Sequence, residues 1–391
     1  MTDKSPNHQY SPSPIDSVRS TTREFVERQN KKRLTTKTGH ESNGHGDSIN
    51  NTSNNDLFDN QISHVWLDES AIDTEISSHP SLYFSSAAPS DWAQWFHYRA
   101  PSEELTVKYI LVLDALNFCF WPLEGYEYAQ LASSLKFTLQ NDDRAFDAER
   151  LINLKSQQLE EWLQPLTKEQ EEEMQRQTDN NENTPPNDSS SERKLTVSIP
   201  LLESRCRALN ELGYALINEF EGSAAKFVSC ANHSAARLVS LITSHFPAFR
   251  DHGVDPTTGS QCFFYKRAQI CVADLWGAFS GRGFGQFDDI NDLTCFADYR
   301  IPQLLSNIGI MKYSEQLKDH IENHRVIPAG SEVELSIRAH TVQAVELMRE
   351  SLKRITGHEI LSIQLDWILW ERGEANLKSL QPHHRTRTIY Y

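Results

Sequence analysis

Carboxylates set among apolar residues are the first candidates for chemistry in this chain. Asp366 sits in ILSIQLDWILW, where nearly every neighbour is apolar. On a helix over 360–371 it stacks with Ile363, Leu369 and Trp370 at i−3, i+3 and i+4. A carboxylate there is expensive to desolvate unless it has a partner or a task. Burial would raise its pKa and nearby cations would lower it. Two roles stay open from the residues alone: a structural Asp accepting backbone or Arg hydrogen bonds, or a site carboxylate. Asp298, in TCFADYR, is similarly divided. It can N-cap a helix starting near Arg300 or Ile301, or face a pocket floored by Phe296 and read donors on a base or sugar.

Other polar residues repeat the pattern. Asp114 and Asn117 lie i, i+3 on an otherwise apolar stretch and must hydrogen-bond to something inside; a bridge to a neighbouring helix end is the plain expectation. Lys266 and Arg267 begin FFYKRAQICVADLWGAF, with Asp274 two turns on. They read either as a solvated helix start with a salt bridge, or as phosphate or carboxylate partners at a pocket edge. His97, in WFHYRAP, is a structural hydrogen-bonder or a catalyst. The stretch HHRTRTIYY is basic and aromatic, and its two tyrosines after an Ile suggest that it docks. There is no Walker loop, no HExxH and no GxSxG, and GRGFGQF follows a helix rather than a strand. Paired or single carboxylate chemistry is what remains.

The elements that must position these residues read as helices. Over 101–121, Ser102 is a plausible N-cap with Glu103 and Glu104 in the first turn. The residues after them are apolar on nearly all sides, so this helix should be buried. Residues 197–220, 233–246 and 263–279 show helical apolar spacing. Residues 299–322 read as a helical hairpin, with Gly309 at a C′ position and Ser314 capping the second helix. Ser331 and Glu334 form a capping box before another amphipathic run. ILSIQL and EVELSI alternate well enough to allow a small β element. Residues 1–60 are polar, with almost no apolar periodicity, and are expected to be disordered; Lys31, Lys32 and Arg33 there are a solvated charge run or a targeting signal. A low-complexity acidic stretch at 168–195 reads as an insertion within a single all-α domain over 61–391.

Composition narrows the function. The net charge is −16 and the pI about 5.4, which argues against a stable complex with long nucleic acid and favours a small-molecule substrate. Six cysteines without a CxxC pair suggest free thiols in a reducing compartment. No metal site or cofactor is expected, because ligand clustering is absent. With no signal-peptide h-region and no long apolar run, a cytoplasmic protein is expected, a nuclear or mitochondrial pool being open.

Several longer motifs carry more. DALNFCFWP (114–122), FYKRAQICVADLW (264–276), FADYRIPQLLSNIGIMKYS (296–314), SEVELSIRAHTVQAVE (331–346), LDWILWERG (365–373) and HHRTRTIYY occur in that order. Together they resemble the queuosine salvage protein family from about residue 79 to 391. The resemblance implies an all-α fold similar to helix-hairpin-helix DNA glycosylases. It also implies hydrolysis of queuosine 5′-phosphate to queuine and ribose 5-phosphate. It puts the catalytic Asp at Asp366, the base-binding Phe and Asp at Phe296 and Asp298, and a substrate-binding His at His97. Two base-pocket residues fall on Trp367 and Glu371, where the family more usually has Tyr and Asp. Lys266, Arg300 or Arg385 are candidates, by charge, for the 5′-phosphate. A non-catalytic carrier of a modified nucleoside is the alternative. A glycosylase acting on polymeric nucleic acid rests on fold analogy alone.

Overall fold

The computed structural model describes residues 13–39, 58, 62–84, 92, 96–167 and 197–391. The acidic insertion expected at 168–195 lies outside the described residues. Among them the chain is built from helices, with four strands of three residues each. The helices run α1 (Pro14–Gly39), α2 (Glu69–Ser78), α3 (Glu103–Leu116), α4 (Tyr128–Asn141), α5 (Ala148–Leu151), α6 (Ser156–Trp162) and α7 (Leu202–Phe220). They continue with α8 (Ala224–Ser229), α9 (Ala235–His245), α10 (Lys266–Ala278), α11 (Arg300–Asn307), α12 (Glu315–Glu322), α13 (Glu332–Thr356) and α14 (Ser362–Ala375).

The caps form where the sequence places them. Ser102 Oγ accepts from Leu105 N–H at 3.1 Å, and Ser314 Oγ from Leu317 N–H at 3.2 Å. Ser331 Oγ accepts from Glu334 N–H at 3.3 Å, but Glu334 reaches back to Gly330 N–H at 3.1 Å rather than to Ser331. Gly309 takes φ +81°, with Gly309 N–H on Ser306 O at 3.1 Å and Ile310 N–H on Leu305 O at 2.9 Å. This Schellman arrangement needs the left-handed conformation that Gly adopts without strain. It turns the chain from α11 into β4 (Met311–Tyr313), which pairs antiparallel with β1 (Val65–Leu67). The second pair is β2 (His252–Val254) with β3 (Gln261–Phe263).

Two expectations fail. ILSIQL and EVELSI are not strands but lie in or against α14 and α13. Residues 332–342 of α13 are buried all round, so alternation there reports no exposed face. Residues 14–39 are not disordered: they form α1, whose Ile15, Val18, Thr22, Phe25, Val26 and Gln29 are buried. Thr and Gln interrupt that stripe and hide its helical period. Tertiary bonds hold the polar members, with Gln343 donating to Thr22 Oγ1 at 2.9 Å and Gln29 to Glu332 at 2.5 Å. The basic run is also engaged: Lys32 pairs with Glu332, and the Arg33 guanidinium lies 4.2 Å from the Trp66 ring centroid.

Two apolar clusters form the interior. One gathers α3 to α10, the other α1, α2 and α11 to α14. The cavity described next lies at their junction, lined by α3, α4 and α10 on one side and by α11 and α14 on the other.

Candidate active site

The α3 C-terminus is held by two buried arginines. Arg267 donates to Asp114 O at 3.2 Å and Ala115 O at 2.6 Å, and Arg205 to Leu116 O, Phe118 O and Cys119 O. Cations at a helix C-terminus satisfy its last carbonyls and oppose its dipole. This anchoring presents Asn117, Phe118 and Phe120 to the cavity. The start of α10 is not solvated: Lys266 and Arg267 are 4% and 0% exposed. Lys266 Nζ donates to Asn117 O at 3.3 Å, and its N–H donates to Asp251 at 2.9 Å. Asp114 meets the Asn117 side chain and the Cys271 thiol of α10, while burial and Asp274 push its carboxyl well above the usual range.

Opposite, α14 carries Asp366 inward, 4% exposed, its Oδ1 accepting from Phe296 N–H at 2.8 Å. Asp298 Oδ1 accepts from Arg300 N–H at 2.8 Å and Ile301 N–H at 3.1 Å. Asp298 also lines the cavity, so one oxygen caps α11 while the residue faces the void. Arg300 is committed to Glu374 at 2.6 Å and Glu127 at 3.5 Å.

One cavity therefore gathers His97, Lys266, Phe296, Asp298, Arg300, Asp366, Trp367 and Glu371. Arg385 does not line it; it bridges to Val326 beside the Trp121 ring, 5.7 Å from the centroid. Sequence reasoning missed Glu127, Tyr128, Trp92, Trp370, Tyr299 and Glu374, which also line the cavity. Asp274, read only as a salt-bridge partner, lines it too; its signal was an acid inside the apolar run ICVADLW. HHRTRTIYY docks as expected, with Tyr391 lining the cavity and its carbonyl accepting from Cys119 N–H at 2.9 Å.

Burial drives the electrostatics. It pushes the Asp366 carboxyl well above its usual range, Asp298 pushes it further, and Phe296 N–H and Lys266 pull it down. It raises Glu127 and Glu374 against the pull of Arg300. It lifts Asp274 to about 7 and lowers His97 to about 3, leaving that imidazole neutral. It also lowers Lys266, which Asp298, Asp114 and Asp366 oppose. Carboxylates outnumber cations around this aromatic cavity, an arrangement suited to a flat ring that carries or develops positive charge. Among the described residues no three His, Cys, Asp or Glu side chains cluster as a metal site, and no helix is long and apolar enough to cross a membrane.

The family described as queuosine salvage protein matches residues 96–391. A Dictyostelium discoideum protein named queuosine 5′-phosphate N-glycosylase/hydrolase is 42% identical over 338 residues, 84% of this chain and 94% of that protein. One of the same name from Sphaerobacter thermophilus is 37% identical over 341 residues, 85% and 94% of the two chains. Another, from Nematostella vectensis, is 31% identical over 345 residues, 83% and 94%. The chain belongs to the queuosine salvage protein family.

Proposed function

We propose that this chain hydrolyses the N-glycosidic bond of queuosine 5′-phosphate, releasing queuine and ribose 5-phosphate. The observation that carries the reading is Asp366: a buried carboxylate, fixed by the Phe296 N–H, facing an acidic aromatic cavity in a chain of this family. As the C1′–N bond breaks, its electron pair leaves with the base and positive charge grows on the ribose. A fixed carboxylate stabilises that charge or attacks C1′, and low local dielectric strengthens the effect. Water then supplies hydroxyl to C1′, and its other proton balances the departing base.

Asp366 must be ionised to do this. Lys266 favours the ionised form, and the secondary amine of the cyclopentenediol arm, cationic at neutral pH, adds to it. A 7-deazaguanine leaves poorly because it has no N7 to protonate, so hydrogen bonds to the departing base matter. Asp298 and Glu371 are suited to accept from its amine, ring N–H or arm, with Phe296 and Trp367 stacking on it. Lys266 is the better candidate for the 5′-phosphate, since Arg300 already holds two carboxylates. The net charge of −16 supports a free nucleotide over a polymer as substrate.

The test is incubation of purified protein with queuosine 5′-phosphate and mass analysis of the products. Equal amounts of queuine and ribose 5-phosphate are expected. Nucleotide that stays intact while bound would mean a carrier.

A further inference from the structure

Three cavity-lining side chains form a chain of polar contacts that the proposed reaction does not use. His97 Nδ1 is hydrogen-bonded to the Trp92 carbonyl oxygen, and its ring stacks on the Trp92 indole, centroids 4.1 Å apart and planes 3° apart. His97 Nε2 is 2.9 Å from the Tyr128 hydroxyl, which is 3.2 Å from Asp274 Oδ2. The site for Trp92 is cut into α10: a Cβ on Gly277 would stand 2.8 Å from Trp92 Cβ.

Proton counting fixes the directions. A carbonyl oxygen only accepts, so Nδ1 carries the imidazole proton. In a neutral ring Nε2 is then an acceptor, and the Tyr128 hydroxyl must donate to it. A hydroxyl has one proton, so nothing is left for Tyr128 to donate to Asp274. With His97 neutral and taking the Tyr128 proton, the 3.2 Å contact is a hydrogen bond only if Asp274 is the donor. The geometry points to Asp274 as a positioning residue that acts in its acid form. Asp274 O–H donates to Tyr128, and Tyr128 O–H donates to His97, whose Nδ1–H is locked on Trp92. The order of the chain sets the place of both rings in the cavity wall.

The surroundings favour the acid form. Asp274 is 3% exposed and lifted to about 7 by burial, with Trp92, Tyr128 and Lys266 opposing the rise. From α3, Asp114 and Tyr109 face it; from α10, Lys266 and Cys271; and Lys136 of α4 bears on His97. Trp370 of α14 meets the Tyr128 ring edge-on at 6.0 Å. When Asp274 ionises, Tyr128 turns its proton to the carboxylate and His97 Nε2 is left facing oxygen lone pairs.

The inference rests on the glycosidase reading above, and the test separates the two. Wild-type kcat/KM for queuosine 5′-phosphate is expected to fall on the alkaline side as Asp274 ionises. Asp274→Ala is expected to lower kcat/KM roughly tenfold, whereas Asp274→Asn, whose amide still donates, stays within about threefold of wild type. The Asn variant also loses the alkaline fall. An Asn variant as slow as Ala, an unchanged alkaline fall in Asn, or an Ala variant as fast as wild type overturns the proposal. Independently of turnover, ¹⁵N NMR of His97, assigned against His97→Gln, is expected to show the Nδ1–H tautomer; the Nε2–H tautomer overturns it. If wild-type protein releases no queuine, the glycosidase reading fails, and the NMR result still tests the Nδ1–H tautomer on which the hydrogen-bond order rests.

Discussion

Two groups of buried charge, one in α13 and one in the cavity, have the same chemistry and opposite accounts. Arg338 is 2% exposed and Asp251 1% exposed, and they meet in two parallel bonds of 2.8 and 2.6 Å. Arg338 also donates to Ala297 O at 3.1 Å and lies 4.0 and 4.4 Å from the Phe264 and Tyr391 ring centroids. The charge is met there within the protein. In the cavity lining six acidic side chains, Glu127, Asp274, Asp298, Asp366, Glu371 and Glu374, stand with two cations, Lys266 and Arg300. Depth of burial does not separate the two, since Asp366 is 4% exposed. The difference is the balance: acids outnumber cations in the cavity, so a cation that arrives meets carboxyls that burial has pushed up and that its charge can ionise. The paired group positions the other: Asp251 holds the first N–H of α10, and Arg338 holds Ala297 between Phe296 and Asp298.

Variants that move a residue from one account to the other should break the comparison in stability. Arg338→Met leaves Asp251 buried and unpaired and is expected to cost about 3–5 kcal/mol, read by urea unfolding. Asp298→Ala removes the α11 cap and is expected to cost about 1 kcal/mol and to raise KM. Asp298→Asn keeps the cap, so KM should rise with little loss of stability. Asp366→Asn should act in the opposite sense. Its carboxyl is raised on folding from the ordinary 3.8, so the folded state binds this proton more tightly than the unfolded one. The resulting stabilisation is complete below the unfolded value and is lost as pH rises toward the folded one. The Asn variant should therefore melt above wild type at pH 7 and the gap should close at pH 4, as followed by thermal scans. Smallest is Lys32→Ala, at the partly exposed Lys32–Glu332 pair, expected to cost about 0.5 kcal/mol and less in high salt.

Much of this was legible in the sequence, for reasons that also explain the failures. The caps at Ser102, Ser314 and Ser331 and the Gly309 turn are local, and they form where the sequence implies, although Glu334 closes on Gly330 N–H and not on Ser331. Asp366 stood out because an acid in an apolar helix needs a reason. Helix α1 was not legible, because its buried stripe includes Thr22 and Gln29, whose partners lie in α13. The solvated reading of Lys266 and Arg267 failed because their partners, the carbonyls ending α3, are about 150 residues away. Glu127 and Tyr128 carry no local signal at all; only folding brings α4 against α10 and α14.

The most direct test of the central claim is queuine release by Asp366→Asn at a substrate concentration where thermal shift shows the nucleotide bound. The expected result is retained binding with turnover reduced at least about 10³-fold, the scale of losing a preorganised electrostatic group. Turnover near that of wild type would contradict the account, because the charge meeting the ribosyl cation would then not be that of Asp366.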